Sequence, residues 1–190
     1  MEILKVIHHT QGGEKYRYTA PRYALDERKV MWQCFGVQLF DPIAIYQQMR
    51  IVSDFWGNTG KNTIFHFVIS FSKEKVKDAF TAMRFTKEIF DYLLRYHQIV
   101  ISIHKEDQGG SLYHAHVIMS TTNYLDGDLF EDKDENFFII AQRIANATRS
   151  SCLLEILYSV GKTMQDTDKN QDENMNKKEG FKRIFSPQWE

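Results

Sequence analysis

Three histidines, His104, His114 and His116, carry the most informative spacing in the chain. In an extended strand, side chains alternate between faces, so residues two apart share a face and sit roughly 7 Å apart along it. His114-Ala115-His116 therefore sets two imidazoles side by side. His104 ends the preceding β-prone run and can meet them across a hairpin. Three neutral imidazoles make a nitrogen donor set for a divalent metal ion and leave coordination positions open, as a catalytic metal requires. His66 lies on an earlier strand with the same face pattern and is a candidate supporting residue. His8, His9 and His97 read as ordinary surface or core histidines.

The elements that must position these rings follow from the same alternation. In TIFHFVISF (63–71), Phe65, Phe67, Ile69 and Phe71 share one face, and His66, Val68 and Ser70 the other. QIVISIH (98–104) splits into Ile99, Ile101 and Ile103 against Ser102 and His104. YHAHVIMS (113–120) splits into Ala115, Val117 and Met119 against His114, His116, Ile118 and Ser120. The turn signal Glu106–Gly110 joins the last two strands as an antiparallel hairpin. The apolar face should lie beneath two helices. One is opened by Asp41-Pro42 and carries Ile45, Met49, Val52 and Trp56. The other is capped by Ser72 and carries the stripe Val76, Phe80, Met83, Phe90 and Leu94.

The remaining chain reads as a strand over 1–9, a loop or irregular edge over 10–29, a β-prone run over 30–39, a helix around 135–149 and a strand over 152–160. The expected fold is α+β: a two-layer sandwich whose mainly antiparallel central sheet carries its helices on one face and leaves the other open as an active-site face. Residues 1–160 form the domain. Residues 161–190 read as a polar, mobile tail with a short terminal helix at GFKRIF.

With 190 residues, 43% hydrophobic and 26% charged, the chain can bury a core, which excludes global disorder. No apolar run approaches the roughly 20 residues of a membrane span, and no secretory signal opens the sequence. Two cysteines, Cys34 and Cys152, make no disulfide framework, so a reduced, cytoplasmic setting is expected. The net charge of −1 excludes a protein coated in positive potential. The acids of segment 125–136 far outnumber its Lys133, so the rest of the chain is net positive and a local basic groove is allowed. GNTGKNT (57–63) is too short for a phosphate-binding loop and precedes its strand rather than following one.

Taken in order, these segments resemble the relaxase/mobilisation nucleases of conjugative plasmids and integrative elements, within the HUH endonucleases. HFVISF (66–71) is similar to that family's H-x-I-x-S-F strand, and DAFTAMRFTKEIFDYLLRYH to the helix after it. QIVISIHKED is similar to the strand ending in the first metal histidine. YHAHVIMSTTNYLDG is similar to the H-x-H-I-x-x-N-x-x-N-x-x-(T/D)-G segment. Ser120 replaces that segment's first Asn, Glu106 replaces an Asp, and the stretch between His104 and His114 is longer by about two residues than the family's, by comparison of the motif spacing.

The resemblance implies metal ligation by His104, His114 and His116, with His66, Glu106 and Asn123 around them and Gly127 as the motif glycine. It implies a divalent ion, Mn or Mg first and Zn, Ni or Co as alternatives. It also implies a nucleophilic tyrosine ahead of the histidines: Tyr18 aligns best, and Tyr16 and Tyr23 are the alternatives. Lys15, Arg17 and Arg22 are candidate phosphate contacts, and Tyr23 and Trp32 candidate stacking residues. The implied activity is site- and strand-specific DNA nicking and strand transfer through a 5′-phosphotyrosyl intermediate. The implied partners are single-stranded DNA at a transfer origin, together with accessory DNA-binding and coupling proteins. A rolling-circle initiator or single-strand transposase would instead use Tyr124 or Tyr158, downstream of the histidines. A DNA-binding module without cleavage and a small metallohydrolase complete the alternatives.

Overall fold

The computed structural model describes residues 1–8, 14–38, 41–58, 63–106, 111–158 and 181–188; of residues 8, 14–18, 111 and 158 it describes the backbone alone. The elements are, in chain order, β1 (Glu2–His8), α1 (Glu14–Ala24), β2 (Lys29–Phe35), α2 (Pro42–Phe55), β3 (Ile64–Ser72), α3 (Ala79–Leu94), β4 (His97–Lys105), β5 (Ser111–Asn123), α4 (Asp134–Thr148), β6 (Cys152–Tyr158) and β7 (Phe181–Phe185). The strands form one sheet in the order β2-β4-β5-β3-β1-β6-β7. Every pairing is antiparallel except β1 with β6. The architecture is the expected α+β sandwich around an open, mainly antiparallel sheet.

Alternation sorts the side chains as the sequence predicts. Phe65, Phe67, Ile69, Phe71, Ile99, Ile101, Ile103, Ala115, Val117 and Met119 all enter the main core. There they meet Ala82, Met83, Ile89, Phe90 and Leu93 of α3 and Phe137, Ile140, Ala141 and Ile144 of α4. A smaller core lies on the opposite face. Ile64, Val100 and Ile118 pack there against Ala20 and Ala24 of α1, Leu25, and Ile45 and Met49 of α2. These strand positions are apolar residues on the histidine face, and their exposure would cost hydrophobic free energy, so helices cover that part. α2 therefore sits across the sheet from α3, not beside it as the sequence reading had placed it.

Three further local readings differ from the structure. The stretch 10–29, expected as a loop because of its glycines and Pro21, contains the 11-residue helix α1 with Pro21 inside it. Ala20 and Ala24, one turn apart, bury against the sheet, and tertiary packing of this kind outweighs local propensity. α3 starts after Asp78, whose carboxylate accepts from Thr81 N at 2.8 Å, and not after Ser72. Ser72 closes β3 instead, donating its N–H and hydroxyl to the buried carboxylate of Glu2. Val76 is buried ahead of the helix, Met83 and Phe90 are buried as expected, and Phe80 in the first turn is 69% exposed. GFKRIF supplies an edge strand and no helix: β7 pairs with β6 from Ile156↔Phe181 to Cys152↔Phe185. Residues 161–180 and 189–190 of the expected tail lie outside the described residues. The α2 cap is as predicted, with Asp41 Oδ1 accepting from Ile43 N and Ala44 N at 2.7 and 2.9 Å.

Candidate active site

Strand register gathers the histidines. His104 of β4 lies directly opposite His114 of β5, and Ser102 opposite His116. On the other flank of β5, Ser70 of β3 faces His114 and Val68 faces His116. The His104 and His116 ring centroids are 4.2 Å apart. His66 Nε2 and His116 Nδ1 share a proton across 3.1 Å. His114 Nδ1 is 3.0 Å from Ser70 Oγ, and its Nε2 is 3.2 Å from a Glu106 carboxylate oxygen. Of the residues expected here, His104, His114, His116, His66 and Glu106 come together.

Burial sets the charge of this cluster. It lowers the His104 and His114 pKa below the ordinary 6.5. It holds His116 down to about 2, with repulsion from His66 and His104 adding to the desolvation. At neutral pH these rings are uncharged, the form that can ligate a metal. His104 Nε2 lies 2.8 Å from the Ala24 carbonyl, which can only accept, so Nε2 carries the proton and Nδ1 the lone pair. That Nδ1 is buried without a hydrogen-bond partner. His114 Nε2 is also buried, and it lies off the hydrogen-bond direction toward Glu106. An imidazole lone pair left bare in a dry site is costly unless a donor or a cation meets it. The donor chemistry thus fits a divalent transition metal. Among the described residues, no three His, Cys, Asp or Glu side chains converge as a finished cage.

Tyr23 lies over the histidines from the last turn of α1. Its ring centroid is 5.4 Å from that of His116, 6.1 Å from His66 and 6.4 Å from His104. The ring is half exposed, so its position is open to a substrate. Arg28 places its guanidinium carbon 4.7 Å from the Tyr23 ring centroid and is held by Asp26 through Nε at 2.9 Å and Nη2 at 2.5 Å. An Asp26 oxygen is 3.9 Å from His104 Nε2. Asp26, Arg28 and Ser70 thus belong to the site. From the sequence, Ser70 was placed only on the histidine face, and neither Asp26 nor Arg28 was assigned to the site. The β4 and β5 histidine register could not reveal the short α1–β2 connection that brings Asp26 and Arg28 in.

The other candidates are placed as follows. Tyr16, Tyr18, Lys15 and Arg17 fall in α1, but their side chains lie outside the described residues. Arg22 is exposed on α1. Trp32 stands opposite Ser102 on β2, on the histidine face, and is 46% exposed. Asn123 ends β5, seven strand positions beyond His116, and its Oδ1 accepts from Leu125 N at 2.9 Å. With Gly127, whose N–H donates to Asn123 O at 2.9 Å, it builds a turn away from the histidines. Gly127 has φ +83°, and a Cβ there would lie 2.7 Å from the Trp56 ring. Tyr124 donates its hydroxyl to Arg95 O at that same far end, and the Tyr158 side chain lies outside the described residues.

No helix among the described residues is long and apolar enough to cross a membrane. Comparison with curated proteins and with solved structures finds no match. Comparison with protein families matches residues 23–153, well over half of the chain, to the family described as "Relaxase: MobA/VirD2-like, nuclease domain". The matched segment starts at Tyr23 and takes in all the histidine strands, so on both sequence and site the chain belongs to the MobA/VirD2-like relaxases, through their nuclease domain.

Proposed function

We propose that this chain nicks one strand of DNA at a defined site and retains the cut end on Tyr23, initiating conjugative transfer or mobilisation. The observation that carries the choice of nucleophile is the Tyr23 ring lying 5.4 Å from the ring of His116, within the family match, whereas Tyr16 and Tyr18 precede that match. The alignment had favoured Tyr18; ring geometry favours Tyr23.

In this reading, Tyr23 Oη attacks the scissile phosphorus as the bond to the 3′ oxygen breaks in line. The phenolic proton is given up, and one proton is taken up by the departing 3′ oxygen. A 5′-phosphotyrosyl bond forms and a 3′ hydroxyl is released. The ester energy stays in the new bond, so a 3′ hydroxyl can reverse the step and rejoin strands without a nucleotide cofactor. His104, His114 and His116 would hold a divalent metal, which when bound would supply charge neutralisation at the scissile phosphate. His66 fixes the orientation of His116 through the hydrogen bond between their rings, and Ser70 does the same for His114 through Nδ1. The substrate must be single-stranded near the nick, because a duplex restrains the backbone and hides the bases.

The test is adduct formation on labelled single-stranded oligonucleotides spanning a transfer origin, with and without Mn²⁺. Tyr23→Phe should abolish the covalent adduct and retain DNA binding; Tyr16→Phe and Tyr18→Phe should keep most of it. Peptide mapping that finds the label on Tyr18 would move the nucleophile back one and a half turns of helix. A label on Tyr124 or Tyr158 would make the protein a replication-initiator type of nuclease.

A further inference from the structure

We infer that Arg28 is a DNA-phosphate-binding residue of this site, held in place over Tyr23 by Asp26; the inference rests on the reading of Tyr23 as the attacking group. Asp26 takes the side edge of the guanidinium, Nε at 2.9 Å and Nη2 at 2.5 Å, and also accepts the Arg28 backbone N–H at 2.9 Å. Two bonds to one carboxylate fix an otherwise flexible side chain, and the backbone bond holds the short loop between α1 and β2 around it. A guanidinium carries five donors, and Asp26 uses only its side edge. The end edge, Nη1 with the second hydrogen of Nη2, has the fork geometry that matches two phosphate oxygens.

The location of that fork decides its role. The guanidinium lies over the Tyr23 ring, and that ring is in edge contact with His66 and His116. A phosphate within reach of Tyr23 Oη is therefore within the neighbourhood of Arg28. Arg28 is 40% exposed on its side chain, so DNA can approach it. Among the described residues, Arg28 is the cation whose guanidinium lies over this tyrosine ring. A purely structural ion pair with Asp26 would not need the contact with Tyr23.

The experiment measures binding of fluorescein-labelled (dT)20 against NaCl concentration in EDTA, where metal contributes nothing. Removal of one phosphate contact should weaken binding about three- to tenfold and reduce the salt slope by about 0.7, the value for one single-strand phosphate. Arg28→Ala should show both changes, and Arg28→Lys should keep the slope while losing part of the affinity. Arg28→Ala also leaves the Asp26 charge bare, so the double variant Asp26→Asn/Arg28→Ala is the deciding one. If Arg28 holds phosphate, the double variant keeps the reduced slope. If Arg28 merely masks Asp26, the double variant returns to the wild-type slope and the inference is overturned. A wild-type slope in Arg28→Ala overturns it as well. Wild-type protein that binds (dT)20 with the Arg28-dependent slope but forms no adduct on any origin oligonucleotide would leave the phosphate contact standing and remove the nuclease reading. Adduct formation with no Arg28 dependence of the slope would do the reverse.

Discussion

His104 donates its Nε2–H to the carbonyl of Ala24 at 2.8 Å, tying the last residue of α1 to the strand that carries the first histidine of the cluster. That single bond has two consequences. It fixes the tautomer that leaves Nδ1 bare, and it sets the height of α1 above the sheet, so that Tyr23, next to Ala24, reaches the rings of His66 and His116.

His104→Ala should therefore act on both stability and chemistry. The Ala24 carbonyl loses its donor and a cavity opens in a wholly buried place, a cost of about 2–4 kcal/mol. Adduct formation should fall by orders of magnitude. His114→Ala, at a side chain that is partly exposed, should lose activity to a similar degree at a smaller stability cost. Urea unfolding and adduct assays on the two variants check the split. Equal stability losses would mean that the tie to Ala24 carries no weight. Mn²⁺ should raise the wild-type melting temperature and leave that of His104→Ala unmoved.

The alternation of three strands is why the core and the histidine face were legible from residues alone. Phe65 to Phe71 and Ile99 to Ile103 are strict period-two patterns, and burial on one side leaves no other register. What was not legible was the covering of the second face. Val100 and Ile118 sit among histidines and serines in the pattern, and their need for α1 and α2 becomes visible only when the strands are neighbours. α1 itself carries Pro21 and follows two glycines, local signals against a helix that tertiary burial overrides. Asn123 and Gly127 matched a family motif, yet they build a turn at the far end of β5; shared sequence order does not fix distance from the histidines.

Gly127→Ala should destabilise the protein by about 1–3 kcal/mol, from the left-handed backbone and the Trp56 ring in the path of the new methyl. Trp56→Leu in the same background should recover part of that loss, since it removes the clash and not the backbone strain. Thermal melts of the single and double variants check this. The adduct rate per folded molecule should stay at the wild-type value, because the turn stands seven strand positions from His116.

Acid should unfold the protein in a window set by its histidines. His97, His104, His114 and His116 are all held below 6.5 by burial, and His97 lies outside the site with Nδ1 bonded to Ser120 O at 3.1 Å. The folded state then takes up fewer protons than the unfolded one just below pH 6.5, so stability is full above that value and declines as pH falls from it. The slope reaches about 1.4 kcal/mol per pH unit for each histidine still neutral when folded. Asp26 and Asp78 are lowered too, but from 3.8, so their loss comes only in stronger acid. A urea midpoint unchanged between pH 7.5 and 5 would contradict the buried neutral state of these rings. His97→Gln should shallow the decline without touching the site.

Deleting residues 179–190 should cost stability, against the sequence expectation of a mobile tail over residues 161–190. β7 caps the edge of β6 over five paired positions. Phe138 of α4 packs between Phe181 and Phe185, with ring centroids 5.7 and 5.5 Å away, and Arg183 lies over the same ring. Beyond β7, Gln142 of α4 donates to Ser186 O at 2.8 Å and Gln188 N donates to Asn146 Oδ1 at 2.9 Å, so the chain is fastened to α4 as well as to β6. Removal would bare Phe138, open one side of Cys152 and Leu154, and leave β6 as an unpaired edge prone to association. The expected loss is about 2–4 kcal/mol, from the apolar area of two half-covered phenylalanines and their ring contacts. Denaturation together with light scattering reads both effects. Truncated protein with the wild-type midpoint and no association would mean that β7 only lies on the sheet, while a destabilised protein that still forms the adduct would place β7 in the scaffold and outside the chemistry.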